Sequence, residues 1–227
     1  MVVAARTASE IESVVSDVKA LGRKGVGITV DFSQREAIQP FVDRVFSYFP
    51  IVHILVNNAG IGSSQNLKPV IDFDDKFWDV SLFVNLTVPY LLMKAFLPKM
   101  IEHGCGRIMN ISSSAGKKGY EYARAYCASK HGLIGLTRTV ALEVATTGVR
   151  INAICPGPVR TSMLTKRLQF EAERKGISIQ EIEKTRTPIQ RLLEPEEIAF
   201  LAVYLASEEA EGMTGQSLNI CGGSLMY

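Results

Sequence analysis

The stretch Gly106-Arg-Ile-Met-Asn-Ile-Ser-Ser-Ser-Ala-Gly116 decides the fold class of this chain. An apolar run that is opened by glycine and closed by small polar residues is typical of a strand buried in a parallel sheet. Ser113 follows the carboxyl end of that strand, where open α/β sheets bind their ligands. The later stretch Ala125-Tyr-Cys-Ala-Ser-Lys130 opens a long segment with helical apolar spacing. Together they predict a strand–helix unit with a ligand site at its junction.

Two side chains of the predicted helix form a candidate proton-transfer pair. Tyr126 and Lys130 are four residues apart, and positions i and i+4 share one face of a helix. A free tyrosine has a pKa of about 10, and a neighbouring cation favours the phenolate. We therefore expect Lys130 to lower the pKa of Tyr126. A tyrosine and a lysine at this spacing are common, so the pair gains meaning only from its surroundings.

The rest of the chain alternates strand-like and helix-like segments, which predicts an α/β fold with a parallel sheet and helices on both faces. At 227 residues it is long enough for one domain, residues 1–227. We predict strands at 2–5, 27–31, 51–57, 106–112, 149–155 and 216–220. We predict helices at 8–21, 34–48, 74–102 (with a bend at Pro89) and 124–147, two short helices within 162–186, and one that begins at Pro195.

Composition excludes several classes of function. The net charge of +2 is spread along the chain, which argues against a nucleic-acid-binding surface. The four cysteines have no metal-ligand spacing, so we expect no metal site and a reducing, cytoplasmic environment. We find no apolar run of transmembrane length and expect no membrane association.

These parts, in this order, resemble the short-chain dehydrogenase/reductase family, from about residue 2 to the C-terminus. The matching positions are Asn57-Asn-Ala-Gly60, Asn85, Ser113, Tyr126, Lys130 and Pro156-Gly157. The resemblance implies a Rossmann-like, doubly wound parallel sheet. It also implies hydride transfer between a nicotinamide cofactor and a carbonyl or secondary alcohol.

One expected part of the family pattern is absent from the sequence. Members normally begin with a strand, a glycine-rich turn and a helix before anything that resembles Val2–Arg6. In the strand order 3-2-1-4-5-6 the first strand is central, so a sheet without this first βα unit should have a gap in its middle. The segment Gly22-Arg-Lys-Gly25-Val-Gly27 is no substitute, because it leads into a strand and not a helix.

The resemblance also implies the cofactor contacts. Arg6 follows the strand that meets the adenosine ribose, and an arginine there suits the 2′-phosphate of NADP(H), with NAD(H) as the alternative. Asp31 and Phe32 would border the adenine, and Asn58, Ala59 and Gly60 would line the ribose side. Pro156, Gly157 and Val159 would frame the nicotinamide, with Thr161 near its phosphates or carboxamide.

The implied catalytic residues are Asn85, Ser113, Tyr126 and Lys130. Tyr126 would exchange a proton with the substrate oxygen, and Ser113 would donate a hydrogen bond to it. Lys130 would hold the nicotinamide ribose, and Asn85 would position a water that links Lys130 to solvent. Ser112 and Ser114 compete with Ser113 on composition, but the thirteen-residue interval to Tyr126 matches the family only for Ser113.

Substrate and partners follow from the same resemblance. Residues 162–187 correspond to the family's variable substrate lid. There Met163, Leu164, Leu168 and Phe170 suggest a partly apolar substrate, although the same residues would also pack as ordinary helix core. The stretches 128–132 and 218–223 are similar to ketoreductases that act on 3-oxoacyl or polyketide thioesters, although secondary-alcohol dehydrogenases share much of them. Lys166, Arg167, Arg174 and Lys175 could meet an acyl carrier protein or form a solvated face. We expect a homodimer or homotetramer built on the two long helices.

A second class of function stays open. Without the phosphate-binding turn, the chain could be an inactive fragment or a non-catalytic oligomerisation partner that retains the catalytic residues.

Overall fold

The computed structural model describes residues 1–227 and contains two parallel β-sheets with helices packed against them. The strands are β1 (Val2–Ala5), β2 (Val26–Thr29), β3 (Ile54–Asn57), β4 (Gly106–Ile111), β5 (Val149–Pro156) and β6 (Ser217–Ile220). The helices are α1 (Ala8–Ala20), α2 (Ile38–Tyr48), α3 (Asp75–Leu82), α4 (Val88–His103), α5 (Arg124–Glu143), α6 (Ser162–Lys175), α7 (Ile179–Thr185) and α8 (Pro195–Ala206). The predicted α/β class with parallel strands is confirmed.

The strands fall into two groups that do not pair with each other. β1 pairs with β2, and the other four strands form a sheet in the order β3-β4-β5-β6, with every pairing parallel. This division leaves β1 and β3 as edges on opposite sides of a gap. The sequence predicted such a gap in the middle of the sheet.

The main core lies between the four-stranded sheet and helices α2 and α4. It consists of 19 buried residues that include Ile108 and Ile151 from the sheet and Leu92, Phe96 and Met100 from α4. Ile28 and Val30, on and just after β2, belong to the same cluster, so this core joins the two groups of strands. A smaller cluster forms on the opposite face under α8 and contains Met109 and Ile154.

The long helix predicted at 74–102 is interrupted before Pro89, and not at it. A π-helical segment, Phe83–Thr87, separates α3 from α4 and carries Asn85. A proline has no N–H, so Pro89 removes the donor that an α-helix would offer to the carbonyl of Asn85. Single-turn π segments inside α-helices are frequent at functional sites.

By length and composition, the continuous helix Asp75–His103 could also cross a membrane. The expectation that no segment reaches that length is therefore wrong on those two criteria alone. In this fold, Leu92, Met93 and Phe96 of the helix lie in the main core, as expected of the central helix of a globular domain.

Candidate active site

Tyr126 and Lys130 lie on the first two turns of α5, which begins at Arg124. The ammonium of Lys130 is 5.7 Å from the centre of the Tyr126 ring. Lys130 is 5% exposed, and its Nζ donates to the main-chain oxygen of Ile111 over 2.7 Å. Since Ile111 ends β4, the lysine joins the start of the helix to the carboxyl end of the strand.

The three consecutive serines after β4 have different partners. Ser112 donates to the main-chain oxygen of Lys130 over 3.0 Å, and its side chain is buried. The hydroxyl of Ser114 pairs with the phenol of Tyr120, also over 3.0 Å. Both hydroxyls are therefore occupied by contacts within the fold.

Ser113 is the serine that meets Tyr126. Its Oγ accepts from the N–H of Ala115 over 3.1 Å, which caps a short 3₁₀ turn, and its hydroxyl lies close enough to the Tyr126 phenol to favour the ionised form of that group. The structure thus places the serine at the thirteen-residue interval beside the tyrosine.

Burial shifts both titrating groups of the pair toward their neutral forms. Burial raises the pKa of Tyr126, and the hydrogen bond from Ser113 only opposes that rise. Burial also lowers the pKa of Lys130 to about 8. The expectation that Lys130 lowers the Tyr126 pKa is therefore wrong for this structure, because the desolvation of the phenol outweighs any effect of the cation.

Asn85 is held by the loop after β3 and by α5. Its amide pairs with the backbone of Ile61, accepting over 2.7 Å and donating over 2.9 Å, and also donates to Ser129 Oγ over 3.1 Å. The residue is 1% exposed. Its side chain thus joins three elements of the site.

A buried polar chain behind the site joins Asn57 to Asn110 and Thr137, two residues that sequence reasoning gave no role. Asn57 Nδ2 donates to Asn110 Oδ1 over 2.8 Å, and Asn110 Nδ2 donates to Thr137 Oγ1 over 2.9 Å. Asn57 Oδ1 is buried and has no partner. These contacts align β3, β4 and α5. The signal for them was an asparagine inside each of two otherwise apolar strands.

The residues predicted to border the adenosine line one cavity of about 920 Å³ between β1 and β3. They include Arg6, Asp31, Phe32 and residues 58–60. Hydrogen bonds from Ser33 and then the charge of Arg6 lower the pKa of Asp31, so Asp31 is ionised at neutral pH. The ring of Phe32 packs edge-on against Phe41 with centroids 5.2 Å apart.

Gly60 lines this cavity and lies next to Asn85 and Lys130. A Cβ on Gly60 would lie 3.1 Å from Asn85 Oδ1 and 3.7 Å from Lys130 Nζ. A side chain at this position would therefore crowd both Asn85 and the Lys130 ammonium. Close packing therefore accounts for a glycine at position 60, in addition to its predicted contact with the cofactor.

The predicted nicotinamide frame lies beyond the carboxyl end of β5, next to the end of β4. The N–H of Gly157 donates to Ile220 O over 2.7 Å, and a Cβ there would come within 2.7 Å of the Cα of Cys221. Pro156 ends β5, and Val159 forms a β-bridge with Leu193. Thr161 caps α6 by accepting from the N–H of Leu164.

Helices α6 and α7 form the predicted lid region and pack on two sides of the site. Met163 contacts the loop after β3, where a Cβ on Gly62 would meet its Cγ at 2.5 Å. Of the two interpretations of Leu168, the structure supports packing in the helix core, because Leu168 is buried with Ile182 and Leu192 in the small core of the lid. Phe170 packs against the ring of Tyr122.

Two of the four basic residues that were considered as contacts for an acyl carrier protein form ion pairs within the chain. Arg167 donates to the main-chain oxygen of Glu121 and to Glu171, and Arg174 pairs with the Glu121 carboxylate over 2.6 Å. Glu171 pairs further with Arg186. These contacts fasten the lid to the loop that precedes Tyr126.

Comparison with known proteins gives the chain its relatives. A family profile described as Enoyl-(Acyl carrier protein) reductase matches residues 1–224. D-beta-hydroxybutyrate dehydrogenase of Rhizobium meliloti (strain 1021) is 36% identical over 219 residues, which cover 94% of this chain and 84% of that protein. A Streptomyces coelicolor protein, provisionally named a ketoacyl reductase, is 34% identical over 229 residues. The match covers 97% of this chain and 85% of that protein.

The fold agrees with these relatives. A crystal structure of a variant actinorhodin polyketide ketoreductase with NADPH superposes with a TM-score of 0.92 at 34% identity, covering 100% of this chain and 87% of that one. The names of these relatives are those of oxidoreductases that act on CH–OH or C=O groups. This chain is an oxidoreductase of the same kind. Taken with the arrangement of Ser113, Tyr126 and Lys130, the comparisons show that the chain belongs to the short-chain dehydrogenase/reductase family.

Proposed function

We propose that the chain is an NADP(H)-dependent reductase of an acyl-chain ketone, with Asn85, Ser113, Tyr126 and Lys130 as its catalytic residues. The observation that carries the proposal is the arrangement at the end of β4. There the hydroxyl of Ser113 meets the Tyr126 phenol, and the buried Lys130 ammonium lies on the same helix face. Nothing in the packing of the fold requires an ionisable lysine with no carboxylate partner at this place.

The residues around Lys130 fit the nicotinamide ribose. Gly60 has no side chain to crowd the ammonium, and the buried Asn57 Oδ1 still lacks a donor. Residues 58–60 would hold the ribose side, and Pro156, Gly157, Val159 and Thr161 would frame the nicotinamide. When bound, the cofactor supplies or accepts the hydride.

The phosphate side of the cofactor is served less completely by this chain. β1 is joined to α1 only by Arg6 and Thr7, with no glycine between them. We propose that Arg6 and the first turn of α1 receive the 2′-phosphate, which favours NADP(H) over NAD(H).

The pKa shifts favour proton donation by Tyr126. Because burial raises its pKa, the phenol is protonated at neutral pH and can give its proton to an oxygen that gains charge. Ser113 donates a hydrogen bond to the same oxygen and orients the carbonyl. This arrangement suits reduction of a ketone to a secondary alcohol.

The proposed substrate is a 3-oxoacyl compound. The names of two relatives concern ketoacyl and hydroxybutyrate compounds, which both carry oxygen on an acyl chain. The exposed Met163, where the lid meets the loop after β3, offers an apolar contact for such a chain. Of the basic residues considered for an acyl carrier protein, Lys166 and Lys175 are exposed and make no ion pair, so we propose them as its contacts.

The test combines cofactor titration with turnover. We expect nicotinamide fluorescence to show tighter binding of NADPH than of NADH, and turnover of a 3-oxobutanoyl thioester of N-acetylcysteamine. The matching 2-butenoyl thioester tests for reduction of C=C, as the family profile's description would suggest. Faster turnover of the butenoyl compound would overturn the ketone assignment.

Replacing Tyr126 by Phe separates an enzyme from a scaffold. General acid catalysis is worth about 10²- to 10⁴-fold, so Y126F should lose that factor in kcat while binding NADPH as before. The open edges of β1 and β3 favour the second candidate, a non-catalytic oligomerisation partner. For that candidate we expect no turnover and no NADPH binding by the wild type, from a folded sample.

We also propose a homodimer or homotetramer built on α3–α4 and α5. Tyr90 and Ile101 on α4 are 43% and 40% exposed, and Leu142 at the end of α5 is 80% exposed. Sedimentation velocity on the wild type and on Y90K tests this assembly, because a lysine at a contact between subunits should shift the chain toward monomer.

A further inference from the structure

Two pairs of a serine and a tyrosine follow the carboxyl end of β4. The hydroxyl of Ser113 lies close to the phenol of Tyr126, which the proposed reaction uses. The next residue, Ser114, pairs with a second tyrosine, Tyr120, and the two hydroxyl oxygens are 3.0 Å apart. The first pair accounts for the proposed proton transfer, whereas the second pair has no role in it.

The Ser114–Tyr120 pair has one hydrogen-bond donor more than the fold uses. Each hydroxyl carries one O–H, and the contact between them uses only one of the two protons. Neither oxygen has a further hydrogen-bond partner in the structure. Ser114 is 5% exposed and Tyr120 is half-buried, so the phenol is the member of the pair that a ligand can reach. When Ser114 donates to the phenol oxygen, the O–H of Tyr120 is free to donate to that ligand.

The second phenol lies near the first. Burial raises the pKa of Tyr126, and the neighbouring phenol of Tyr120 adds to that rise, because two phenolates would repel each other. The backbone of Tyr120 also lies close to the thiol of Cys127, the residue that follows Tyr126. A substrate whose ketone meets Tyr126 therefore has Tyr120 within its surroundings.

A tight turn fixes Tyr120 relative to α5. The N–H of Ala123 donates to the main-chain oxygen of Tyr120 over 3.1 Å, and α5 begins at the next residue. Tyr122, inside the turn, has a φ of 58°, in the left-handed region that is unfavourable for a residue with a Cβ. Glycine or asparagine is usual at such a position. The turn therefore needs support from outside its own backbone.

Helix α6 of the lid provides that support. The Glu121 carboxylate pairs with Arg174 over 2.6 Å, and the ring of Tyr122 packs edge-on against Phe170 with centroids 6.0 Å apart. The guanidinium of Arg174 also lies 5.2 Å from the centre of the Tyr122 ring. The turn that carries Tyr120 is thus held by the catalytic helix on one side and by the lid on the other.

We propose that Tyr120, oriented by Ser114, binds a second oxygen of the substrate while Ser113 and Tyr126 bind the oxygen of the reacting ketone. This inference rests on the proposed function and narrows it, because it requires two oxygens on the same acyl chain. A 3-oxoacyl compound has this arrangement, since its acyl carbonyl is one CH₂ group away from the ketone and accepts hydrogen bonds. Tyr120 exchanges no proton with the substrate, so it acts on specificity.

The experiment compares Tyr120→Phe with the wild type on two ketones in the presence of NADPH. The 3-oxobutanoyl thioester of N-acetylcysteamine carries both oxygens, whereas 2-heptanone carries only the ketone. Loss of a contact that is equally strong in the ground state and the transition state raises KM and leaves kcat unchanged. Tyr120→Phe should therefore raise KM for the thioester about tenfold and leave both constants for 2-heptanone unchanged.

Two further variants make the comparison specific. Tyr204→Phe removes a phenolic hydroxyl from α8, where it donates to the main-chain oxygen of Glu209, and should change neither constant for either ketone. Ser114→Ala removes the group that orients Tyr120, so KM for the thioester should rise by a smaller factor, about threefold. Should Tyr120→Phe fail to fold, Ser114→Ala decides the question.

The outcomes separate this inference from the function on which it rests. If the wild type reduces neither ketone, the proposed function fails and the inference fails with it. If the wild type is active but Tyr120→Phe leaves KM for the thioester unchanged, lowers kcat, or affects both ketones equally, only the inference is wrong, and Tyr120 supports the turn. If the wild type reduces the thioester alone, a rise in its KM at constant kcat supports the inference.

Discussion

The strands of the β3–β6 sheet are buried more completely than those of the β1–β2 pair. β4 and β5 are almost wholly buried, and their polar side chains find partners across strands and helices. In β1 every residue is partly exposed, and α1 buries only Ile11. The proposed acid, Tyr126, is held by the first region, whereas Arg6, the proposed selector of the cofactor, belongs to the second. The proposed acid is therefore held more firmly than the proposed selector of the cofactor.

Adjacent residues of β3 should show the sharpest contrast between the two regions. Leu55 is 9% exposed and belongs to the main core, so Leu55→Ala should lower the free energy of unfolding by about 2–5 kcal/mol. Ile54 is 48% exposed beside the open edge, so Ile54→Ala should lower it by less than about 1 kcal/mol. Urea denaturation of both variants checks this. Equal losses would mean that the open edge is covered in solution.

The buried Lys130 should make the free energy of unfolding depend on pH. Its pKa is about 8 in the fold and 10.5 ordinarily, so between these values the unfolded chain binds more protons and the free energy of unfolding rises with pH. Below pH 8 the lysine is charged in both states, and its burial destabilises the fold by about 3 kcal/mol. Lys130→Met should therefore stabilise the protein at pH 7, and this gain should disappear near pH 10.5.

The control for this measurement is Lys94→Met on an exposed position of α4. Its effect on the midpoint of urea denaturation should be small and should be the same at pH 7 and near pH 10.5. A difference between wild type and Lys130→Met that does not change with pH would mean that the lysine is solvated in the folded protein.

Substitutions of two glycines test how tightly the backbone after β5 is packed. A Cβ on Gly157 would lie 2.7 Å from the Cα of Cys221, whereas one on Gly119 would meet nothing within 4 Å. Gly157→Ala should lower the free energy of unfolding by about 1–3 kcal/mol. Gly119→Ala should change it by less than about 0.5 kcal/mol. Thermal unfolding of the pair checks the difference, and similar melting temperatures would show that the backbone near Cys221 can shift.

Sequence patterns predicted most of the elements, because helices and strands depend on local spacing. The i, i+4 relation of Tyr126 and Lys130 also follows from the chain alone, whereas the roles of Asn85 and Ser113 came from the resemblance to the family and stay predictions. The resemblance likewise implied the break in the sheet, since strand order decides which strand is central. The helix predicted to run to residue 147 ends at Glu143, because the turns that follow lead to Gly148 with a positive φ.

What the sequence did not predict depends on tertiary burial. The direction of the Tyr126 pKa shift depends on how far the phenol is desolvated, and no spacing rule contains that quantity. Leu168 has the composition of a substrate contact, yet it is buried inside the lid because Ile182 and Leu192 pack on it. The pairing of Arg167 and Arg174 with Glu121 likewise joins residues that are distant in sequence.

Arg6 gives the smallest expected effect and tests whether the open region selects the cofactor. The side chain is exposed at the end of β1, near Asp31, where a 2′-phosphate would be received. Because a solvated contact with a charged group is worth little over 1 kcal/mol, Arg6→Ser should weaken NADPH binding about tenfold and leave NADH binding unchanged. Arg23→Ser, in the turn after α1, removes the same charge elsewhere and should change neither. If Arg6→Ser weakens both cofactors equally, the arginine supports the fold of the region and does not select the phosphate.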